Sequence, residues 1–259
     1  MKVVIFAGGY GTRISEESYL KPKPMVEIGG RPILWHIMKI YQAHGFSEFV
    51  ICLGYKGYII KEYFLNYFYH NADFTLDLKT NESTIHSNDG DDFKITFAET
   101  GLETKTAGRL DQIKQYIPQG ETFMLTYGDG VSDVNIKDLL KFHKEHGKIC
   151  TVTAYQPSGK FGMMELNREA LVSSFLEKPK ENRLWVNAGF FVLNYEVFDY
   201  LSEHSNEIMW EQEPLKNLSR DSELVAFKHD GFWKCMDILN DKKELDQLWR
   251  NNPQWKIWN

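Results

Sequence analysis

The chain has 259 residues, of which 42% are hydrophobic and 25% are charged, and its formal net charge is −6. Such a composition can bury a full core, so it excludes wholesale disorder. The negative charge offers no cationic face for nucleic acid, and no apolar run approaches the roughly 18 residues that span a membrane.

Short β-rich runs alternate with helical patterns through the first 155 residues. The predicted strands lie at 3–7, 49–53, 123–127 and 149–154, and the predicted helices lie at 32–43, 57–68, 105–116 and 136–146. This alternation predicts an α/β fold with a Rossmann-like, mixed but mainly parallel sheet flanked by helices. Ligands bind such sheets beyond the carboxyl ends of the strands, so the loops after the strands at 3–7 and 123–127 are candidate sites.

The remaining segments do not continue this alternation of strands and helices. Residues 72–98 are predicted to form a polar, hairpin-like insertion, and residues 156–259 a β-rich annex. The annex strands are predicted at 161–166, 171–175, 190–193 and 224–227, and a helix at 238–250 follows. Because no flexible linker is evident, residues 1–259 are predicted to form one domain with its core at 1–155.

Three cysteines, Cys52, Cys150 and Cys235, are odd in number and far apart, with no Cys-x-x-Cys spacing. Such a set predicts reduced thiols rather than a disulfide framework. The first residues also lack the apolar stretch of a signal peptide. We therefore expect a cytoplasmic protein that binds neither nucleic acid nor a membrane.

A glycine-rich turn, FAGGYGTR at residues 6–13, directly follows the first predicted strand. It lacks the third glycine of a dinucleotide fingerprint and the Gly-Lys pair of a P-loop. The bare N–H groups of such a turn can coordinate phosphate oxygens, and Arg13 adds a planar fork of donors. In LKPKPM at 20–25, two prolines stiffen the backbone that carries Lys23. The combination predicts a phosphate site; a tight turn beside surface lysines is the alternative.

Asp129 lies between Gly128 and Gly130, just after the predicted strand at 123–127. A carboxylate in that position is well placed to hold Mg²⁺ against phosphate oxygens. An ordinary Asp-Gly turn is the alternative interpretation. The sequence alone leaves both open.

Other metal motifs are weak. His143 and His146 are spaced i, i+3 without further ligands, which indicates a solvated helix face. The D-x-D sequence at 89–91 lies in a polar segment and indicates a turn. Asp133 is predicted to cap the helix at 135–146.

Taken together, GGYGTR, KPKPM and IGGRPI resemble the sugar-1-phosphate nucleotidyltransferases, also called nucleotide-sugar pyrophosphorylases. The likeness continues through YGDGVSD, FLEKPK, NAGFFVLN, WEQEPL and GFWKCMD, and so spans nearly the whole chain. In this family a sugar 1-phosphate oxygen attacks the α-phosphorus of a nucleoside triphosphate, and pyrophosphate leaves in line. The resemblance implies this activity, Mg²⁺ as cofactor, and a fold like that of the GT-A glycosyltransferases.

The resemblance also assigns roles to particular residues. Those implied to bind the nucleotide are Phe6, Ala7, Gly8, Gly9, Tyr10, Gly11, Thr12, Arg13, Lys23, Thr106, Gly108, Arg109 and Gly128. The implied catalytic residues are Arg13 on the β- and γ-phosphates, Lys23 on the α-phosphate, and Asp129. Asp129 and Asp237 are the implied Mg²⁺ ligands, and Thr106 and Arg109 are expected beside the base or its ribose.

The sugar end of the site is implied to lie in the annex. Its implied sugar-phosphate-binding residues are Gly162, Glu177, Lys178, Asn187, Gly189 and Trp233.

Two segments, TKTAGRL at 104–110 and WEQE at 210–213, resemble the branch of the family that uses CTP and α-D-glucose 1-phosphate. The alternatives are UTP or dTTP, another hexose 1-phosphate, a protein that binds a nucleotide sugar without catalysis, or a glycosyltransferase. Aromatic residues crowd positions 63–69, more than one helix face can hold, which predicts a homo-oligomer. Internal packing against the predicted insertion is the alternative.

Overall fold

A computed structural model describes residues 1–14, 19–87, 90–157, 163–166, 171–176 and 184–258. Its strands are β1 (Lys2–Phe6), β2 (Glu27–Ile28), β3 (Arg31–Pro32), β4 (Glu48–Leu53), β5 (Phe74–Asp77), β6 (Glu82–Ile85), β7 (Lys94–Glu99), β8 (Phe123–Tyr127), β9 (Gly130–Ser132), β10 (Cys150–Tyr155), β11 (Met163–Leu166), β12 (Val172–Leu176), β13 (Val186–Leu193), β14 (Leu224–His229) and β15 (Trp233–Cys235). Its α-helices are α1 (Ile33–Ala43), α2 (Gly57–Leu65), α3 (Tyr67–Asn71), α4 (Thr106–Gln112), α5 (Ile136–His146), α6 (Glu213–Arg220) and α7 (Leu239–Asn251).

Seven strands form the central sheet, in the order β14-β10-β13-β8-β1-β4-β7. β1 pairs in parallel with β4 and β8, β4 pairs in parallel with β7, and β10 pairs in parallel with β14. β13 runs antiparallel to both of its neighbours, β10 and β8. The predicted α/β fold with a mainly parallel sheet is confirmed.

Residues 3–6 of β1 are all apolar and buried, as expected for a strand in a sheet that is covered on both faces. Val3 and Ile5 belong to one buried cluster, which includes Leu245 of α7 and the apolar face of α1. Val4 and Phe6 belong to a second cluster on the opposite face, with residues of α4 and α6. The carboxyl end of β1 is therefore held at the centre of the molecule, between two helical layers.

Helix α1 begins within one residue of its predicted start. Pro32 occupies the N-cap position, where no intrahelical N–H is needed. Ile33, Ile37 and Ile40 are fully buried against the sheet. This helix fixes the first face of the fold, on which α7 also packs.

The aromatic run at 63–69 spans two helices, because α2 ends at Leu65 rather than at residue 68. The Asn66 side chain donates a hydrogen bond to a carbonyl of the preceding turn. Tyr63 and Phe64 pack against the buried core of the same chain. Internal packing, the alternative interpretation, therefore accounts for much of this cluster.

Two predicted boundaries are wrong. The insertion predicted over 72–98 contains the exposed antiparallel hairpin β5–β6, but β7 continues the central sheet beside β4. The annex predicted over 156–259 is also smaller than expected, since β13 and β14 belong to the central sheet. The antiparallel pair β11–β12 lies outside that sheet.

Asp133 does not cap α5, contrary to the sequence prediction. The cap is Asn135, whose Oδ1 accepts hydrogen bonds from the N–H groups of Lys137 and Asp138 at 3.0 and 3.2 Å. Asp133 instead accepts from the N–H of Phe232 at 2.7 Å. Its carboxylate thus ties the end of β9 to the segment before β15.

His143 does not lie on a solvated helix face, so that interpretation is wrong. The side chain is 1% exposed, with Nδ1 2.8 Å from Thr151 Oγ1 and Nε2 3.0 Å from Asn194 Oδ1. Burial lowers its pKa. This histidine is a hydrogen-bonded core residue between α5 and the sheet.

All three cysteines carry free thiols. Cys52 and Cys150 are buried in the sheet, and burial raises the pKa of Cys52 to about 12.

Among the described residues, no helix combines the length and the apolar character needed to cross a bilayer.

Candidate active site

A cleft with a volume of ≈ 830 Å³ opens beyond the carboxyl ends of β1 and β8. Its walls also include the loop before α4, the segment before α6 and the end of β15. The sequence-predicted site residues that line it are Phe6, Ala7, Gly8, Gly9, Tyr10, Gly11, Thr12, Arg13, Lys23, Thr106, Arg109, Gly128, Asp129, Asn187, Trp233 and Asp237. The topology therefore gathers residues from five separate parts of the sequence.

Gly108 and Gly189 are predicted site residues that do not line the cleft. A Cβ on Gly108 would lie 2.4 Å from Asn206 Oδ1, so this glycine lets α4 pack closely on the turn at Ser205–Glu207. Gly189 has φ +82°, and a Cβ there would lie 2.4 Å from the Tyr127 ring. Both glycines permit close packing behind the cleft wall.

Several predicted residues lie outside the described part of the chain. These are Gly162, Glu177 and Lys178 of the sugar end, together with Asp89 of the D-x-D sequence. Asp91 of that sequence is described, and its carboxylate pairs with Lys39 at 2.5 Å.

The glycine-rich turn follows β1 without obstructing the cleft. Gly11 has φ +66°, a backbone conformation that favours glycine. Gly128, after β8, donates to the carbonyl of Phe6 at 3.0 Å, and a Cβ on Gly128 would lie 2.9 Å from that carbonyl oxygen. Tyr10 hydrogen-bonds Glu103 across the cleft. The turn is thus tied to the strand end beside it and to the loop after β7.

Arg109 is buried and holds three loops together. Its guanidinium donates to the carbonyls of Gly8 at 3.0 Å, Leu53 at 2.9 Å and Gly101 at 2.9 Å, and to Thr100 Oγ1 at 2.6 Å. These acceptors lie at or just after the carboxyl ends of β1, β4 and β7. Arg109 lines the cleft, but both Nη groups donate to protein acceptors, so a hydrogen bond from Nη1 or Nη2 to a base would compete with these bonds.

A cluster of four charged side chains lies at one end of the cleft. Lys23 Nζ lies 2.6 Å from Asp129 Oδ2 and 2.8 Å from Asp237 Oδ1, and Arg13 Nη1 lies 2.9 Å from Asp237 Oδ2. Carboxylate oxygens of both aspartates and the Sγ of Cys235 lie within 4.8 Å of one another. We call these residues, Arg13, Lys23, Asp129, Cys235 and Asp237, the acid–lysine cluster.

The pKa shifts in this cluster favour the charged forms of Lys23 and Asp237. Burial alone lowers the pKa of Lys23, but the charge of Asp129 and the hydrogen bonds to both carboxylates outweigh burial and raise it. Burial alone raises the pKa of Asp237, but Lys23 and Arg13 hold that pKa below its usual value. The lysine is therefore an ammonium and Asp237 a carboxylate near neutral pH.

Backbone pairing brings the two aspartates together from distant parts of the sequence. β9 pairs with β15, with Gly130 opposite Cys235, and the N–H of Met236 donates to the carbonyl of Asp129 at 2.8 Å. The Asp241 carboxylate then accepts from the N–H of Asp237 at 2.9 Å, at the start of α7. Both aspartates are thereby fixed by main-chain geometry.

A second polar cluster, which local sequence patterns do not reveal, also lines the cleft. Glu211 accepts from Thr106 Oγ1 at 3.0 Å and from the Tyr127 hydroxyl. Asn187 Nδ2 lies 3.3 Å from that hydroxyl. The sequence marks the WEQE segment containing Glu211 only through family resemblance, because nothing in its spacing indicates partners on α4, β8 and β13.

An α/β fold with a glycine turn and two neighbouring carboxylates beyond its strand ends is an arrangement typical of enzymes that bind nucleotide phosphates. Residues 2–238 match the family model described as nucleotidyl transferase, so the chain belongs to the nucleotidyl transferase family and is a nucleotidyltransferase. The chain is 50% identical over 259 residues to the glucose-1-phosphate cytidylyltransferase of Salmonella typhimurium, covering 100% of both chains. The enzyme of the same name from Salmonella typhi is likewise 50% identical over 100% of both chains.

A solved structure shows the same fold. UDP-glucose pyrophosphorylase, complexed with UDP-glucose, is 16% identical and has a TM-score of 0.67, covering 96% of this chain and 98% of that chain. At this identity the likeness concerns the fold alone.

Proposed function

We propose that this nucleotidyltransferase transfers CMP from CTP to α-D-glucose 1-phosphate, giving CDP-glucose and pyrophosphate. Full-length similarity to enzymes named for glucose 1-phosphate and cytidylyl transfer supports this choice of substrates. The observation that carries the chemistry is the bridging position of Lys23 between Asp129 and Asp237. An ammonium and two carboxylates in the same cleft as a glycine-rich turn are suited to phosphate transfer.

The reaction requires little covalent chemistry from the protein itself. A phosphate oxygen of glucose 1-phosphate bonds to the α-phosphorus of CTP, and the bond from that phosphorus to the bridging oxygen breaks. The electron pair leaves with pyrophosphate. Catalysis then depends on positioning and on stabilising charge at the α-phosphate oxygens.

We assign these tasks to groups already in the cleft. The backbone N–H groups around Gly9 and Gly11 would bind phosphate oxygens. Lys23, held on the cleft floor by two carboxylates, would turn its ammonium toward the α-phosphate. Arg13 is exposed on the turn and would reach the leaving phosphates.

The donor set fits Mg²⁺. Asp129 and Asp237 supply hard carboxylate oxygens close enough to share an ion, whereas the Cys235 thiol is a poor ligand for this metal. The charges of Arg13 and Lys23 are balanced by the two aspartates, so the cluster alone has no surplus to offset a triphosphate. When bound there, Mg²⁺ supplies that positive charge and orients phosphate oxygens.

We place the hexose beside Asn187 and Trp233, both of which line the cleft. The Trp233 indole donates to the carbonyl of Ala188 at 2.8 Å, which holds the ring still. A fixed aromatic ring with an adjacent amide suits a sugar. Glu177 and Lys178 stay predictions for the same pocket.

We further propose a cytoplasmic homo-oligomer. The hairpin β5–β6 exposes Phe74, Leu76 and Ile85, and Leu78 in its turn is 85% exposed. An isolated two-stranded hairpin is marginally stable in water, so contact with a second copy of the chain would stabilise it. Light scattering after size exclusion tests the oligomeric state, and Leu78→Ser is expected to weaken the assembly.

The substrate proposal is tested by a nucleotide panel. Purified enzyme, Mg²⁺ and glucose 1-phosphate are incubated in turn with CTP, UTP, dTTP, ATP and GTP, and pyrophosphate release is measured. CTP is expected to give the highest kcat/KM and a product with the mass of CDP-glucose. Asp129→Asn, prepared identically, controls for contaminating activity. A preference for UTP or dTTP would refute the cytidylyl assignment and leave the reaction class intact.

A further inference from the structure

Among the described residues, the side chains that donate hydrogen bonds to the Glu211 carboxylate in the cleft wall are both hydroxyl groups. Thr106 Oγ1 donates to Oε2 at 3.0 Å, and the Tyr127 hydroxyl donates to Oε1. The donors are themselves oriented: Thr106 Oγ1 accepts from the N–H of Trp210 at 2.8 Å, and Asn187 lies beside the Tyr127 hydroxyl. The carboxylate is thus fixed by groups from α4, β8 and β13.

No lysine or arginine of the described chain lies within ion-pair distance of Glu211. A carboxylate has about four acceptor positions, and the side chains named above use two of them. Burial, followed by the charge of Glu211, raises the pKa of Tyr127, so the phenol stays protonated and remains a donor. The Glu211 carboxylate is therefore a charged acceptor that lines the cleft and can accept further hydrogen bonds.

A charged acceptor with no counter-ion among the described residues favours some neighbouring groups over others. It repels phosphate, which belongs at the acid–lysine cluster, and it attracts neutral groups that donate O–H or N–H. The neighbouring wall contains the Asn187 amide and the Trp233 ring, a combination suited to a hydroxyl-bearing ring. Sugar hydroxyls are the donors that both proposed substrates carry.

We propose that Glu211 is a specificity-determining residue that accepts hydrogen bonds from sugar hydroxyl groups of a bound substrate, with Tyr127 and Thr106 as its positioning residues. This proposal rests on the proposed function, because the hydroxyls belong either to the hexose of glucose 1-phosphate or to the ribose of CTP. Thr106 lies on the side implied to hold the nucleoside, and Asn187 lies on the side implied to hold the hexose. Glu211 links these two sides of the cleft, because it accepts from Thr106 directly and contacts Asn187 through the Tyr127 hydroxyl.

The test compares wild type and Glu211→Gln on substrates that lack one hydroxyl each. One arm uses 2-, 3-, 4- and 6-deoxyglucose 1-phosphate with saturating CTP. The other arm uses 2′-deoxy- and 3′-deoxy-CTP with saturating glucose 1-phosphate. In wild type, removal of the hydroxyl that Glu211 binds is expected to lower kcat/KM by about 10-fold or more, as for a hydrogen bond to a charged group. In Glu211→Gln the same removal is expected to cost about 3-fold or less, and the arm showing this change identifies the source.

Glu213→Gln is the matched control, since Glu213 is exposed, begins α6 and does not line the cleft. It is expected to reproduce the wild-type penalty for every deoxy substrate. Thermal melting and circular dichroism check that Glu211→Gln remains folded. Because each penalty is a ratio within one variant, a general loss of activity cannot produce the expected result.

Two results would overturn the proposal. One is a set of deoxy penalties that is the same in Glu211→Gln and in wild type. The other is a changed preference between CTP and UTP in Glu211→Gln without any change in the deoxy penalties, which would assign the carboxylate to the base. Failure of the proposed function is a separate result, namely no CDP-glucose from wild type with the complete substrates.

Discussion

The Arg109 guanidinium lies against Gly8 so closely that a Cβ on this glycine would be 2.2 Å from Nη1. A Cβ on Gly54 would lie 2.7 Å from the same nitrogen. Two glycines therefore make room for a buried cation whose donors join the ends of β1, β4 and β7. The glycine turn owes part of its shape to this arginine.

Gly8→Ala is expected to destabilise the protein, because the guanidinium must move and its hydrogen bonds to buried carbonyls are lost. Overpacking of this kind costs about 1–3 kcal/mol in free energy of unfolding. Gly9→Ala is the matched control, since a Cβ on Gly9 meets nothing within 4 Å and its stability should stay unchanged. Urea unfolding measures both. Equal urea midpoints for Gly8→Ala and Gly9→Ala would show that the Arg109 guanidinium does not need the space that Gly8 leaves.

Lys23→Met is expected to lower kcat by about 100-fold or more, because the α-phosphate loses an ammonium that stabilises its developing charge. The substitution also leaves the Asp129 and Asp237 carboxylates facing each other without the cation between them. Circular dichroism and thermal melting verify the fold. Steady-state kinetics with CTP and glucose 1-phosphate provide the measurement.

Lys21→Met controls for the loss of one positive charge in the same segment. Lys21 pairs with Glu27 at 2.7 Å, and Glu27 is exposed, so its contribution to stability is small. This variant is expected to retain wild-type kcat. A Lys23→Met enzyme as active as Lys21→Met would remove Lys23 from the mechanism.

His36 makes the stability depend on pH. The ring is fully buried, with Nε2 2.8 Å from the carbonyl of Ile28 and Nδ1 accepting from the Trp255 indole at 3.4 Å. Burial lowers the pKa of His36 from 6.5 to about 4. The unfolded chain therefore takes up a proton at higher pH than the folded one, so stability is complete above pH 6.5 and declines as the pH falls toward 4.

The expected loss over this range is on the order of 3 kcal/mol, from 1.36 kcal/mol for each unit of pKa difference. Urea midpoints followed by tryptophan fluorescence between pH 4.5 and 7.5 measure it, since Trp249 and Trp255 both pack on His36. His36→Phe should flatten the dependence. A slope in His36→Phe equal to that of wild type would assign the effect to other groups.

Features decided by neighbouring residues could be predicted from the sequence. The helix predicted at 32–43 is α1, with Ile33, Ile37 and Ile40 buried, and the strand predicted at 3–7 is β1. The proximity of Asp129 and Asp237 could not follow from spacing, because it depends on the β9–β15 pairing. Family resemblance alone brought them together.

Features decided by distant contacts were missed or misplaced. Within the described part of the chain β7 is an edge strand that pairs with β4, and its alternating polar residues are also typical of an exposed hairpin. Asp133 and Asn135 are both good capping residues, and only the actual start of α5 decides between them. Arg109 lies 101 positions from Gly8, so no local pattern could reveal their contact.

The most direct test of the central claim is the location of the metal. Crystals of the wild-type enzyme soaked with CTP and Mn²⁺ would give an anomalous difference map that shows the ion without ambiguity. The account predicts one peak between Asp129 and Asp237, ~2.1 Å from an oxygen of each carboxylate and in contact with the CTP phosphates. An ion coordinated by the phosphates but by neither aspartate, with CTP bound elsewhere than at the glycine turn, would contradict it.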